Sequence, residues 1–239
     1  IMSLKLYYDL LSQPSRTCDI PFEAKLINLA KGEQFISKYQ NIHPFQKVPA
    51  IEHNGFNMIE EFCSVAILRY ICREFNVADH WYPKDSKLQL RVDEYLEWHH
   101  LNTRLHCSMY FLKKVLIPKL SGQETTVTQE NIMKYEKNMI KILDVLENVW
   151  LKDKIFLTGS EISIADILAA CEVEQVRIVG YNLQENRPRI AAWMKYVENK
   201  TSPYYQEAHI FLNKLATKTK QDTIAPRTIY YKSKILNIH

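Results

Sequence analysis

Two side chains in this sequence are of types that can stabilise an anion during a reaction. Ser12 lies in the stretch LYYDLLSQPSR, where a short predicted strand gives way to a polar turn, so its hydroxyl could point into a cleft. A hydroxyl that donates to a thiolate stabilises the charged form and lowers the pKa of the thiol. Arg104, within EWHHLNTRLHC, carries a guanidinium that can stabilise a nearby anion. Taken alone, Ser12 is better explained as a turn cap, and Arg104 as an exposed helical residue in a surface ion pair.

The composition is that of an ordinary soluble globular protein and argues against several kinds of function. Hydrophobic residues make up 46% and charged residues 24% of the 239 residues, enough chain for one large domain or two small ones. The net charge of +4 is mild and the lysines are spread out, which argues against nucleic-acid binding. No apolar run is long enough for a transmembrane helix, and no apolar leader precedes Leu4. We therefore expect neither a membrane span nor a signal peptide.

The cysteines and histidines do not show the spacing of a metal site or of a disulfide framework. The cysteines are scattered and none forms a C-x-x-C pair: Cys18, Cys63, Cys72, Cys107 and Cys171. Such cysteines are usually buried thiols in a reducing compartment. His99 and His100 are adjacent, but no H-x-x-x-H motif with a carboxylate partner occurs, so we predict no metal ion.

The first third of the chain has the pattern of a small α/β domain. Alternating apolar residues predict strands over 4–8, 22–29, 48–52 and 56–59. The last two strands flank an Asn-Gly pair, which is a strong hairpin signal. Apolar residues at helical spacing predict a helix over 64–75.

From Leu88 onward the pattern is helical. Two apolar helix faces are predicted, made by Leu88, Val92, Tyr95 and Leu96, and by Ile132, Tyr135, Met139, Ile142, Leu143 and Leu146. In GSEISIADILAA, Ser163 can cap a helix while Asp166, three residues on, reaches back to form a capping box. The chain therefore divides into a small α/β domain and a larger all-helical domain.

Four of these segments together resemble the theta class of the cytosolic glutathione transferases. They are LYYDLLSQPSR, KVPAI, SVAILRY and LTGSEISIADI, and the linker HWYPKD is also similar to linkers of this class. The resemblance implies a thioredoxin-like α/β domain over residues 2–79, a linker over 80–87 and an all-α domain over 88–217. A basic tail over 218–239 has no counterpart that we can match.

The resemblance also implies where glutathione would bind. Ser12 would donate to the glutathione sulfur. The backbone of Val48, before a cis Pro49, would pair with the cysteinyl backbone of glutathione like an added strand. Lys47 would approach the glycyl carboxylate, and Gln34 stands at the same end of the ligand, where the theta class has a histidine. Arg104 aligns with an arginine that borders the theta active site.

One departure from the family lies in its pair of adjacent Glu and Ser residues, which hold the γ-glutamyl end of glutathione. This sequence reads IEEFCSVAIL, so Glu60 and Ser64 are separated by Glu61 and two further residues. If the helix of residues 64–75 extends backward, Glu60 and Ser64 share a face, but the glutamate is displaced along the axis. If the added residues bulge, the pair is kept. Glu60, Glu61 and Ser64 therefore all remain candidates.

A second departure is the connection after Ser12. Only Asp9–Pro21 separate the first two predicted strands, about seven residues fewer than in the family, which is close to two helical turns. A parallel crossover needs roughly ten to twelve residues, so the connection closes with only a stub of a helix that begins near Pro14.

We therefore predict a cytoplasmic glutathione transferase that attacks small electrophiles such as halides, epoxides or sulfate esters, in detoxification. Its partners would be glutathione, a small electrophile and, in a homodimer, a second copy of the chain. Glutathione would be a co-substrate, and no bound cofactor is expected. The alternative is a non-catalytic binding protein on the same scaffold, or a defective splice or gene-model variant, which the two departures favour. A thioredoxin-like redox protein would need Cys18 near the serine turn, and that residue falls six positions late without a partner cysteine.

Overall fold

A four-stranded mixed sheet forms the first part of the computed structural model, which describes residues 4–10, 12–13, 22–59, 64–118, 128–183 and 185–224. The strands are β1 (Leu4–Tyr8), β2 (Glu23–Leu26), β3 (Ala50–His53) and β4 (Phe56–Ile59), in the order β2-β1-β3-β4. β1 and β2 run parallel, and the other neighbours are antiparallel. The crossover between β1 and β2 therefore closes within the short connection that the sequence provides.

Apolar residues of β1 face both sides of the sheet because both sides are covered. Leu4 and Leu6 pack with residues of helix α2 (Val65–Glu74), among them Ile67. Tyr7 points to the other side and packs with Tyr39 of the short helix α1 (Ser37–Gln40). A strand with helices on both faces reads as a nearly continuous apolar run, as LKLYY does.

The rest of the described chain is helical. Its helices are α3 (Ser86–His99), α4 (Leu105–Phe111), α5 (Gln129–Val145), α6 (Ile164–Gln175), α7 (Pro188–Thr201) and α8 (Tyr204–Ile224). π-helical segments follow three of them: His100–Arg104 after α3, Leu112–Leu116 after α4 and Leu146–Trp150 after α5. α6 is buried along almost its whole length and lies at the centre of the larger core. The predicted division into an α/β part and an all-helical part is confirmed.

The predicted capping box at the start of α6 is also confirmed. Both reciprocal hydrogen bonds of the box are present, and the backbone N–H of Ser163 donates to Asp166 at 2.9 Å. The same carboxylate accepts hydrogen bonds from the backbone of Leu157 at 2.8 Å and from the indole of Trp193 at 2.9 Å. Asp166 therefore joins the start of α6 to the preceding loop and to α7.

Several predicted boundaries differ from the observed ones. The second strand ends at Leu26, because Asn28 accepts a hydrogen bond from the backbone of Lys31 and starts a 3₁₀ turn. Leu88 is 56% exposed and is not part of the buried face of α3, although Val92 is. α8 continues to Ile224, so residues 218–224, predicted as tail, lie in this helix.

Three cysteines fall in the described residues and all are free thiols. Cys107 and Cys171 are buried and Cys72 is partly buried. Burial raises the pKa of Cys72 to about 11, so this thiol stays protonated at neutral pH. Cys18 and Cys63 lie outside the described residues.

Among the described residues, none of the helices combines the length and apolar character required to cross a membrane. The same part of the chain contains no group of three or more His, Cys, Asp or Glu side chains arranged to hold a metal ion.

Candidate active site

Four loops meet at one end of the sheet because of the register of its strands. Tyr8 and Leu26 end the parallel strands β1 and β2 side by side. Ala50, the first residue of β3, pairs with Tyr7 near the end of β1 and with Ile59 at the end of β4. Loops therefore leave or enter the sheet at this one end, and they carry Ser12, Gln34, Lys47 to Pro49, and Ser64.

Ser12 lies in a tight turn directly after β1. Its backbone N–H donates to the carbonyl of Asp9 at 3.1 Å, and the residue is buried. The carboxylate of Asp9 accepts a hydrogen bond from the backbone N–H of Leu29 at 3.1 Å, which joins the serine turn to the loop after β2. The predicted stub of a helix near Pro14 lies outside the described residues. Two hydrogen bonds therefore hold the serine turn at the end of the sheet.

The segment before β3 is held by a tyrosine. The peptide bond between Val48 and Pro49 is cis, as predicted. The hydroxyl of Tyr39 donates to the backbone carbonyl of Lys47 at 2.5 Å, and its ring shares a small core cluster with Ala50. Pro49 is buried, Val48 is partly buried and the Lys47 side chain is exposed. The backbone of Val48 is thus fixed beside the end of β1, with Lys47 free to reach a ligand from solvent.

Two buried polar atoms at this end of the sheet lack a partner in the described part of the chain. They are Oε1 of Gln34, in a 3₁₀ turn after β2, and Oγ of Ser64, the residue before α2. A buried polar atom without a hydrogen bond costs roughly 1–3 kcal/mol and calls for an explanation such as an absent ligand. The two atoms therefore mark a place where a polar ligand would restore the missing hydrogen bonds.

The alternative in which α2 extends backward to Glu60 is wrong. α2 begins at Val65, and Ser64 has a left-handed backbone with φ of 61°. Residues 60 and 64 therefore do not share one face of a helix. Glu60 and Glu61 lie outside the described residues, so the bulge alternative and the role of both glutamates stay predictions.

Arg104 is the last residue of the π-helical segment between α3 and α4. Its Nη1 donates to Oε1 of Glu172 on α6 at 2.5 Å. The Arg104 side chain is 25% exposed, whereas that of Glu172 is fully buried at 0%. The alternative of a surface ion pair is therefore wrong, because the partner of Arg104 is an interior carboxylate.

His99 is a second buried polar side chain in this region. Its Nδ1 lies 3.4 Å from the hydroxyl of Tyr95, and its Nε2 has no hydrogen-bond partner among the described residues. Burial, aided by the charges of Arg104 and His100, holds the pKa of His99 well below its usual value. The ring is therefore neutral at physiological pH.

Sequence reasoning missed both Glu172 and His99. Glu172 had a readable signal, since it follows the apolar run ILAAC on a predicted helix, where a charged side chain needs a partner. The sequence pattern raises His99 only as a metal ligand. Its ring packs against Tyr95, which in turn packs against Trp150 after α5, and the sequence does not display that distant contact.

Two family models match the chain. One is described as the N-terminal domain of glutathione S-transferase and covers residues 16–73. The other is described as the C-terminal domain of glutathione S-transferase and covers residues 108–200.

Relatives of known name are similar over most of the chain. Mouse (Mus musculus) glutathione S-transferase theta-3 is 38% identical over 216 residues, which are 87% of this chain and 88% of the mouse protein. Human (Homo sapiens) glutathione S-transferase theta-1 is 38% identical over 216 residues, with the same shares of 87% and 88%.

Solved structures of the same class are similar in three dimensions. Human glutathione-S-transferase T1-1, in its apo form, has a TM-score of 0.83 at 35% identity and covers 93% of this chain and 97% of its own. A human theta-class transferase, in complex with the glutathione conjugate of 1-menaphthyl sulfate, has a TM-score of 0.84 at 34% identity. In that comparison 92% of this chain and 91% of the human chain are covered.

Proposed function

The chain belongs to the glutathione S-transferase family, with theta-class relatives over most of its length, and on this premise we propose that it conjugates glutathione to small electrophiles. The thiolate of glutathione would attack a halide, an epoxide or a sulfate ester in a detoxification reaction of the cytoplasm. Glutathione is the co-substrate, and no bound cofactor is needed. The name that the relatives share is that of an enzyme, which favours catalysis over a non-catalytic binding role.

The observation that carries this proposal is the pair of unpartnered buried atoms at the end of the sheet. Oε1 of Gln34 is an acceptor and suits an N–H donor of a peptide-like ligand. Oγ of Ser64 and the N-terminus of α2 suit a carboxylate, because backbone N–H groups and the helix dipole favour an anion there. The backbone of Val48 lies between these two loops and supplies strand-like hydrogen bonds. Glutathione, a tripeptide with a carboxylate at each end, matches this set.

Ser12 is proposed as the residue that activates the thiol. A free thiol has a pKa of about 8.5, so only a small fraction is thiolate at neutral pH. A hydroxyl that donates to the sulfur stabilises the thiolate and lowers that pKa. The buried turn that follows β1 holds Ser12 close to where the cysteinyl part of the ligand would pair with Val48. Arg104, on the helical domain, is proposed to border the site, where it would stabilise the charge that develops on the leaving group.

We also propose a homodimer, as the family resemblance implies. Large apolar side chains that are more than half exposed occur on β4 and along α3 and the segment after it: Phe56, Leu90 and Leu101. In a homodimer interface such side chains would be removed from water, which is favourable for apolar surface. Light scattering during size-exclusion chromatography would show whether the mass is twice that of the 28.2 kDa chain.

Calorimetric titration with glutathione tests the proposed site. The chain and its Ser12→Ala variant should both bind glutathione with micromolar to millimolar affinity, because Ser12 acts on the thiolate rather than on the peptide backbone. The chain should also turn over electrophiles, and the variant should do so about tenfold or more slowly at neutral pH. Absence of binding by the unmodified chain would overturn the proposal. Binding without turnover of any electrophile would favour the non-catalytic alternative.

A further inference from the structure

The ion pair between Arg104 and Glu172 joins the interior of the helical domain to its surface. Glu172 projects from α6, which is buried along almost all of its length, and its side chain is fully buried. Arg104 reaches it from a different helix, with Nη1 2.5 Å from Oε1, and remains 25% exposed. The carboxylate is thus the inner member of the pair and the guanidinium is the outer one.

A buried carboxylate is stable in its ionised form only when a cation or several donors compensate it. Three titratable groups near the pair, in the part of the chain that the structure describes, are uncharged. Burial, together with the charge of Glu172, raises the pKa of Cys107 and of Tyr95, so both stay protonated and neutral. His99 is neutral as well. Asp166, also close to Tyr95, is bonded to the backbone and to Trp193. Arg104 is the cation that the structure places on Glu172.

The pair changes what Arg104 can do at the active site. A guanidinium has five N–H donors in a fixed plane, and Glu172 accepts from one nitrogen, Nη1. The outer edge therefore keeps donors for an incoming group, in an orientation set by the inner carboxylate. Because the carboxylate lies behind the guanidinium, 2.5 Å from Nη1, it offsets about half of the attraction that a substrate on the outer edge would feel.

We propose that Glu172 is a positioning residue that orients the Arg104 guanidinium and offsets about half of its charge, so that the site selects uncharged electrophiles over anionic ones. The inference rests on the proposed function, which places Arg104 at the electrophile end of the site. It assigns the choice of leaving group to a side chain that itself does not touch the substrate.

The test compares an uncharged electrophile, an arylmethyl chloride, with an anionic one, 1-menaphthyl sulfate. Glu172→Gln keeps the shape and an acceptor oxygen but removes the negative charge. The ratio of kcat/KM for the sulfate to kcat/KM for the chloride should rise by about tenfold in this variant, since one unit of opposing charge is lost beside the guanidinium. Loss of packing alone would lower both values together and leave the ratio unchanged.

Glu174→Gln is the matched control. Glu174 lies two residues further along α6, is also buried, and pairs with Arg177 instead of Arg104. The same chemical change there should leave the substrate ratio within about twofold of the unmodified enzyme, because a charge change on a separate, partly exposed pair is screened from the substrate. An equal shift in both variants, or no shift in Glu172→Gln, would overturn the inference.

A second readout does not depend on turnover. The melting temperature is measured in sodium sulfate and in sodium chloride of equal ionic strength. The increase in melting temperature from chloride to sulfate should be larger for Glu172→Gln than for the unmodified protein or Glu174→Gln. Adding Arg104→Ala to Glu172→Gln should abolish this extra increase. An unmodified chain that turns over no electrophile would overturn the proposed function, whereas an equal sulfate response in all variants would overturn the inference about Glu172.

If Glu172→Gln does not fold, Glu172→Asp takes its place in both measurements. The shorter side chain keeps the charge but draws it away from the guanidinium. The substrate ratio should then shift in the same direction by a smaller factor. A ratio equal to that of the unmodified enzyme would contradict the proposal.

Discussion

The hydroxyl of Tyr39 donates a hydrogen bond to the backbone carbonyl of Lys47, 2.5 Å away, and so fixes the segment that enters β3 beside the serine turn. Burial raises the pKa of Tyr39, so the hydroxyl remains a donor throughout the neutral and mildly alkaline range. The bond links a core side chain to the backbone on which the proposed glutathione site depends.

Tyr39→Phe should therefore weaken glutathione binding. Loss of one hydrogen bond, with a carbonyl left partly unsatisfied, is worth about 1 kcal/mol, or roughly a fivefold increase in the Kd of glutathione. Calorimetric titration measures it. Tyr196→Phe, on an exposed side chain of α7, is the control and should leave the Kd unchanged. Equal affinities in all three proteins would show that the bond does not shape the site.

Ser12→Ala should move the pH dependence of the reaction. The proposed hydrogen bond lowers the pKa of the bound thiol, so its loss returns that pKa toward about 8.5. The rising limb of kcat against pH should then shift to higher pH, and kcat at neutral pH should fall by about tenfold or more. Ultraviolet absorbance of the thiolate in the bound state gives the pKa directly. An unchanged thiolate pKa in Ser12→Ala would remove Ser12 from the mechanism.

His99 should make the fold less stable in acid. Its pKa is held well below its usual value in the folded protein, so the unfolded chain takes up a proton near pH 6.5 that the folded chain does not. The free energy of unfolding should therefore be unaffected by His99 above about pH 7 and should fall below pH 6.5, by about 1.4 kcal/mol at pH 5.5.

His99→Leu should flatten this dependence, as measured by urea unfolding at pH 7.5 and 5.5. His106→Leu is the comparison, since burial lowers the pKa of His106 too but the side chain is partly exposed. Its effect on the pH dependence should be the smaller of the two. If the free energy of unfolding of both variants falls between pH 7.5 and 5.5 as much as that of the unmodified protein, His99 is not the group that titrates.

Glu147 should contribute to stability by capping a helix to which it does not belong. Its two carboxylate oxygens accept hydrogen bonds from the backbone N–H groups of Arg189 at 3.0 Å and Ile190 at 2.8 Å, in the first turn of α7. Glu147→Gln removes the charge and one acceptor from a buried position, and should cost about 1–3 kcal/mol in the free energy of unfolding. Urea denaturation measures this, with the exposed Glu161→Gln as control. Equal urea midpoints for the unmodified protein and Glu147→Gln would show that solvent replaces the hydrogen bonds of the cap.

Much of the sheet and one helix start could be predicted because their signals are local. The Asn54-Gly55 pair forms the hairpin turn with both residues at positive φ, and β3 and β4 follow on either side as expected. Ser163 and Asp166 are three residues apart and their hydrogen bonds need no distant partner, so the capping box was readable as well.

Other features depend on contacts between distant parts of the chain and could not be read in the same way. Leu88, in the first turn of α3, is exposed, although its spacing from Val92 is that of a buried face. The π-helical segment before Leu105 adds a residue to the turn and changes which side chains face the core. The partner of Arg104 is 68 residues away in the sequence, so only the packing of α6 identifies it.

The convergence of four separate loops at one end of the sheet has a consequence for how such a site can change over time. Each loop begins or ends at a strand that the hydrogen bonds of the sheet hold in place. An added or deleted residue in one loop therefore alters one contact with the ligand and leaves the other contacts in place. The altered spacing before Ser64 and the short connection after Ser12 are two such changes. A scaffold of this kind can gain or lose affinity stepwise, by length variation alone, without first losing its fold.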